Sequence, residues 1–235
     1  MNNFRKKIIV AIDTIDIDEA LLISSMINNV GAVKLGLEFF CANGPQGIDK
    51  ISNTGANIFL DLKFHDIPNT VVGALKASLK LHPYMLTVHL SGGLNMLKSS
   101  IEIVEDYCSI MNIPIPLILG VSVLTSIDQS DFSSLGISGK VEDQVKRLAD
   151  LAINAGLGGM VCSAKELKVI RGHVGKNFKL ITPGIRPLGG EANDQKRIVT
   201  PRQAIQDGAD YLVIGRPITE AKEPQLALDK ICSEI

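Results

Sequence analysis

From end to end, the chain alternates a short apolar run with a stretch whose apolar residues recur at helical spacing, and it does so eight times. Ile8 to Asp13 reads as a strand and Ile17 to Val30 as a helix, with Ile17, Leu21, Leu22, Met26 and Ile27 on one side. Ala32 to Leu37 is a second strand, followed by a Gly-Pro turn at 44–45 and a helical stretch over 46–53. Strand three begins at Ile58, with a helix from about Pro68 to Leu81. Met85 to Ser91 and Pro116 to Leu124 give strands four and five, followed by helices over 94–111 and, after a polar loop, 139–155. Gly159 to Ser163 and Lys179 to Ile185 flank a helix over 164–173, and Tyr211 to Arg216 precedes the final helix. Thr200-Pro201 opens a short helix, a capping residue followed by proline at the first helical position.

Eight such units without a run of unpaired strands predict an α/β fold, a single (β/α)8 TIM barrel; a doubly wound open sheet is the main competitor. A length of 235 residues suits one barrel domain over 1–235, and no linker, repeat or low-complexity stretch suggests a second. The formal net charge of -1, with interspersed charges, offers no basic stripe, so no nucleic-acid partner is expected. The basic residues near the start precede an apolar run, Ile8 to Ile12, too short for a signal segment or a membrane span. No membrane partner and a cytoplasmic location are expected. The four cysteines, Cys41, Cys108, Cys162 and Cys232, are far apart, and the four histidines form no ligand cluster. Free thiols and no metal are therefore expected.

Within this frame residues 57–70, NIFLDLKFHDIPNT, stand out. Ile58, Phe59 and Leu60 start a buried strand, in which alternate residues share a face, so Asp61 and Lys63 point one way and Leu60, Leu62 and Phe64 the other. With the apolar set against covering helices, the charges face the space enclosed by the sheet, where they must pair or meet a ligand. Pro68 then fits the first turn of a helix. Barrel active sites lie at the carboxyl ends of the strands. Polar residues gather there: Asp13, Lys34, Asp61, Lys63, Thr125, Arg186 and Arg216. A plainer account of Asp and Lys is mutual neutralisation inside the barrel.

Gly215-Arg216-Pro217, after strand eight, fits a phosphate site of backbone donors plus one cation, although a Gly-Pro turn alone would look the same. The long polar loop from Pro183 to Gln195 suggests a lid, or else a plain surface loop. Gly156-Leu157-Gly158-Gly159 follows a helix and precedes a strand, the reverse of a dinucleotide fingerprint. No P-loop or nucleophile elbow occurs, and His65 and His89, lacking a nucleophile partner, are expected to be structural.

Taken together, Asp61-Leu62-Lys63-Phe64-His65-Asp66-Ile67-Pro68-Asn69-Thr70, Val33-Lys34-Leu35-Gly36, Val88-His89-Leu90-Ser91-Gly92-Gly93, Val123-Leu124-Thr125-Ser126, Thr182-Pro183-Gly184-Ile185-Arg186-Pro187 and Ile214-Gly215-Arg216-Pro217 resemble, in order, the motifs of the bacterial-type orotidine 5'-phosphate decarboxylase family. The resemblance spans essentially the whole chain. It implies cofactor-independent conversion of orotidine 5'-phosphate to UMP and CO2, the last step of de novo UMP synthesis, with neither metal nor organic cofactor. It implies an alternating network of Lys34, Asp61, Lys63 and Asp66, with Lys63 as proton donor. It also implies that Asp66, Ile67 and Thr70 reach the partner's site in an obligate homodimer. By the same resemblance Asp13 and Lys34 are expected to contact the ribose, Thr125 the pyrimidine end, and Arg186, Gln195, Gly215 and Arg216 the phosphate.

The chemistry such a network suits is clear. Losing CO2 from C6 leaves an in-plane carbanion with little delocalisation, so a fixed ammonium beside C6 is the available stabiliser and acid. Flanking carboxylates favour the charged lysine. Two alternatives remain: a metal-dependent sugar-phosphate decarboxylase or lyase of the same superfamily, which shares an Asp-x-Lys-x-x-Asp core, and a non-catalytic nucleotide-phosphate binder.

Overall fold

The computed structural model describes residues 4–187 and 199–235. Strands β1 (Ile8–Ile12), β2 (Ala32–Gly36), β3 (Ile58–Phe64), β4 (Met85–His89), β5 (Leu117–Val121), β6 (Gly159–Val161), β7 (Lys179–Thr182) and β8 (Tyr211–Ile214) are joined in sequence order. All pairings are parallel, and β8 closes on β1 through the register Ile8↔Leu212, Ile9↔Val213 and Val10↔Ile214. This is a closed (β/α)8 TIM barrel, and closure removes the sheet edges that an open doubly wound sheet would leave.

The strands read as continuous apolar runs because both of their faces are buried. One set of side chains, including Ile9, Ala11, Phe59, Met85, Leu119, Ile181 and Val213, fills the barrel. The alternate set, including Ile8, Val10, Ile12, Leu60, Leu86, Leu180 and Leu212, packs outward under the helices. Those helices are α1 (Ile17–Met26), α2 (Leu37–Ser52), α3 (Pro68–Leu79), α4 (Gly93–Met111), α5 (Gln129–Ser134), α6 (Val141–Ala155), α7 (Leu167–His173), α8 (Pro201–Gln206), α9 (Arg216–Thr219) and α10 (Pro224–Ser233). Among the described residues, none is long and apolar enough to cross a membrane.

Two helical stretches differ from expectation. Helical structure starts at Leu37, directly after β2, and the Gly-Pro pair at 44–45 breaks it: Gly44 takes φ 61°, ψ -165°, and Pro45 begins a second segment. The loop after β5 contains α5, where Asp128 accepts the N–H groups of Ser130 and Asp131 while the Asp131 side chain accepts the N–H of Asp128. Thr200 caps α8 as expected, accepting from Gln203 N–H.

The most consequential irregularity lies in β3. Leu60 pairs with Leu86 and Phe64 with Val88, so Asp61, Leu62 and Lys63 stand opposite Thr87 alone. Lys63 adopts φ 51°, a left-handed conformation uncommon for a side-chain-bearing residue. This bulge turns the end of β3 while leaving Leu60, Leu62 and Phe64 on the outer core.

Candidate active site

At the carboxyl ends of β1 to β3, four side chains form a chain of alternating charge. Lys34 Nζ donates to Asp13 Oδ1 at 3.0 Å and lies 3.9 Å from Asp61 Oδ2; Lys63 Nζ donates to that same oxygen at 2.8 Å. The strand register builds this order, because β2 holds Lys34 beside Phe59 and Gly36 beside Asp61. Gly36 also leaves room for the ammonium, since a Cβ there would sit 3.3 Å from Lys34 Nζ.

The Asp61 side chain is 11% exposed and that of Lys63 30%, so the pair lies at the boundary between interior and mouth. The other Asp61 oxygen, Oδ1, accepts the Thr87 hydroxyl at 3.0 Å, and Thr87 in turn accepts the Lys63 backbone N–H at 2.9 Å. Lys34, Asp61, Lys63 and Thr125 line one cavity whose opposite walls are apolar: Phe59, Val121, Val123, Val161, Pro183 and Val213. A flat apolar body with one charged edge fits such a space better than a wholly polar ligand does.

His65 and His89 pack against each other beside this cluster, with ring centroids 5.2 Å apart and the rings tilted by 35°. Burial holds the His89 imidazole below its ordinary pKa, and the neighbouring His65 and Lys63 push it further down. It is therefore a neutral neighbour of Lys63 near pH 7.

The remaining expected residues take other places. Asp66, Ile67 and Thr70 are exposed on the turn into α3; Asp66 Oδ1 accepts the N–H of Ile67 at 2.7 Å, and among the described residues Asp66 makes no ion pair with Lys63 of its own chain. Arg186 is buried just past β7; its N–H donates to Val199 O at 3.2 Å, and Ile185 bridges to Val199. Gly215 and Arg216 follow β8, with Gly215 packed against Ala11 and Asp13 of the first unit. Gln195, and the part of the expected lid over 188–195, lie outside the described residues. Sequence reasoning passed over Thr87 and gave no role to Gly36 or the apolar walls, although Gly36, Val123 and Pro183 stand within the motifs quoted above. Thr87 had a signal, as a lone hydroxyl in an apolar inner-face run; the wall residues are indistinguishable from any barrel filling.

A closed parallel barrel that gathers a lysine–aspartate alternation at the carboxyl ends of its strands has the architecture of a TIM-barrel enzyme. The model of the orotidine 5'-phosphate decarboxylase / HUMPS family matches residues 6–231. The orotidine 5'-phosphate decarboxylase of Rhodospirillum rubrum is 48% identical over 230 residues, covering 97% of this chain and 93% of that protein. That of Vibrio cholerae is 47% identical over 230 residues, covering 97% and 98%. The crystal structure of orotidine 5'-phosphate decarboxylase from Lactobacillus acidophilus superimposes with a TM-score of 0.83 at 36% identity, covering 97% of each chain. The chain belongs to the orotidine 5'-phosphate decarboxylase / HUMPS family.

Proposed function

We propose that this protein decarboxylates orotidine 5'-phosphate to UMP and CO2, closing UMP biosynthesis, without metal or organic cofactor. The observation that carries this is the Lys34–Asp61–Lys63 alternation beside an apolar cavity. The bond from C6 to the carboxylate breaks, its electron pair stays on C6, and CO2 leaves. Lys63 Nζ faces the developing carbanion, stabilises it, donates a proton to C6, and is reprotonated by solvent. Asp61 fixes the position of that ammonium from one side. Asp13 and Lys34 hold the ribose, Thr125 the pyrimidine edge, and Arg186, Gln195, Gly215 and Arg216 the phosphate. Binding the phosphate far from C6 supplies energy for assembling the charged site.

The second carboxylate comes from a neighbouring subunit. Asp66, Ile67 and Thr70 of each subunit complete the other's site, in a homodimer. The support is geometric: Asp66 stands apart from its own Lys63, and Ile67 is 67% exposed. Ile15, Leu37, Ile67 and Leu94, which follow β1, β2, β3 and β4 in turn, are all exposed apolar groups around one half of the barrel mouth. A cytoplasmic location belongs to the same proposal and accords with four unpaired cysteines.

A metal-dependent sugar-phosphate reaction fits the site less well. Asp61 already accepts from Thr87 and Lys63, with Lys34 close by, so a divalent cation would enter against two ammonium groups. Loss of the ultraviolet band of orotidine 5'-phosphate, followed with and without EDTA, separates the two. Turnover unchanged by the chelator is expected; turnover of orotidine 5'-phosphate that vanishes with EDTA, or is absent altogether, would overturn the proposal.

A further inference from the structure

We infer that Thr87 is a positioning residue for this reaction, holding the ammonium of Lys63 through a closed ring of hydrogen bonds; this inference rests on the decarboxylase reading above. The ring begins and ends on Lys63. Its backbone N–H donates to Thr87 Oγ1 at 2.9 Å, the Thr87 hydroxyl donates to Asp61 Oδ1 at 3.0 Å, and Asp61 Oδ2 accepts from Lys63 Nζ at 2.8 Å.

The direction of each bond is forced. A backbone amide can only donate, so the Thr87 oxygen accepts from Lys63. The hydroxyl's single proton is then left for Asp61, which makes Oδ1 an acceptor and turns the carboxylate plane so that Oδ2 faces Lys63 Nζ. Thr87 is wholly buried on the inner face of β4, and its branched side chain restricts χ1.

The bulge explains why a hydroxyl is placed there. Between Leu60 and Phe64, β3 spends three residues against one on β4, so Lys63 N–H is lost from the regular ladder and the left-handed turn at Lys63 needs another anchor. Thr87, the single residue opposite, supplies it. The same contact that satisfies the strained backbone therefore aims the carboxylate that aims the catalytic ammonium. Gly120 sits beside Val88 on the neighbouring strand and cannot take this part, having no side chain.

The test compares Thr87→Val, which keeps the shape and removes the hydroxyl, with Thr87→Ser, which keeps the hydroxyl. For Thr87→Val, kcat for orotidine 5'-phosphate is expected to fall about 10- to 100-fold, as for a small misplacement of a reacting group. KM, and the Kd for UMP measured by calorimetry, should stay within about threefold, because the remote phosphate and ribose contacts are untouched. Thr87→Ser should recover most of kcat. The inference falls if Thr87→Val turns over within twofold of the parent, if Thr87→Ser is as slow as Thr87→Val, or if Thr87→Val loses UMP binding, which would make Thr87 merely structural. A parent protein that leaves orotidine 5'-phosphate intact would instead sink the functional reading beneath it.

Discussion

Replacing Asp61 by Asn keeps the shape of the side chain and removes its charge. Asp61 serves two donors with separate oxygens, Thr87 at 3.0 Å and Lys63 at 2.8 Å, and has Lys34 Nζ at 3.9 Å. An amide can satisfy only one of the two. If its oxygen faces Lys63, its NH2 meets a Thr87 oxygen whose proton must be redirected; if its oxygen faces Thr87, its NH2 points at an ammonium. In both orientations Lys34 keeps Asp13 as a counter-ion, whereas Lys63 has no other carboxylate of its own chain within ion-pair distance among the described residues and keeps only the Asp66 that the proposed dimer brings from the partner subunit. Removing one partner of a hydrogen-bonded buried pair costs about 2–5 kcal/mol. Lys63 is 30% exposed and partly screened by water, so the lower end, about 2 kcal/mol, is expected. For a chain of this size that lowers Tm by roughly 4–8 °C. On the proposed mechanism the kinetic cost should be larger than the stability cost, since there the ammonium has to be aligned at the moment charge appears on C6. At saturating orotidine 5'-phosphate, kcat should drop on the order of 100-fold or more, equivalent to about 2.7 kcal/mol. Calorimetry and the ultraviolet assay on the same preparation measure both. A variant with parental Tm and kcat within threefold would show that Asp61 neither holds nor aims Lys63.

Other perturbations probe different parts of the molecule. Arg216→Ala should weaken orotidine 5'-phosphate and UMP binding by at least about tenfold, with much of the loss recovered by added guanidinium; an effect no larger than that of a distal surface substitution would remove Arg216 from the phosphate site. Glu166 is buried at the start of α7, accepting Ser163 N–H at 2.9 Å, and burial raises its pKa to about 7. Its charged form is the disfavoured one, so stability fully present below about pH 4.5 is lost as pH rises through about 7. Glu166→Gln should therefore unfold at higher urea than the parent at pH 8, by roughly 3 kcal/mol, and at nearly the same urea at pH 4; parallel behaviour at both pH values would refute the burial argument. Sedimentation of the parent protein should give a dimer. Mixing Lys63→Ala with Asp66→Ala chains should restore some activity, because one mixed site per dimer is then intact; inactivity of a proven mixed dimer would refute shared sites.

The barrel was legible because its determinants are local and repeated. Each strand is largely apolar on both faces, Asp13 and Arg216 follow the ends of β1 and β8, and Lys34 and Asp61 break the inner apolar faces of β2 and β3 toward the mouth. Segments governed by a single local choice were less legible. Gly44-Pro45 looks like the end of a loop, yet it separates two helical segments, the first starting at Leu37 without a capping side chain. The six-residue α5 hides in a polar stretch, although Asp128 and Asp131 carry its reciprocal cap. Period-two alternation correctly placed Asp61 and Lys63 on the inner side, but no pattern within β3 could reveal the bulge, because a bulge is a relation between two strands. The left-handed backbone of Lys63 and the contacts of Thr87 follow from that relation and were equally hidden. Asp66 was legible as a motif residue, while its separation from Lys63 appears only once β3 has turned into α3.

If the ammonium held by Asp61 protonates C6, removing it in Lys63→Ala ends turnover and spares ligand binding. Purified Lys63→Ala should bind UMP, seen by calorimetry, while the ultraviolet band of orotidine 5'-phosphate stays unchanged over times in which the parent consumes it completely. Decarboxylation by that variant at a near-parental rate would contradict the account.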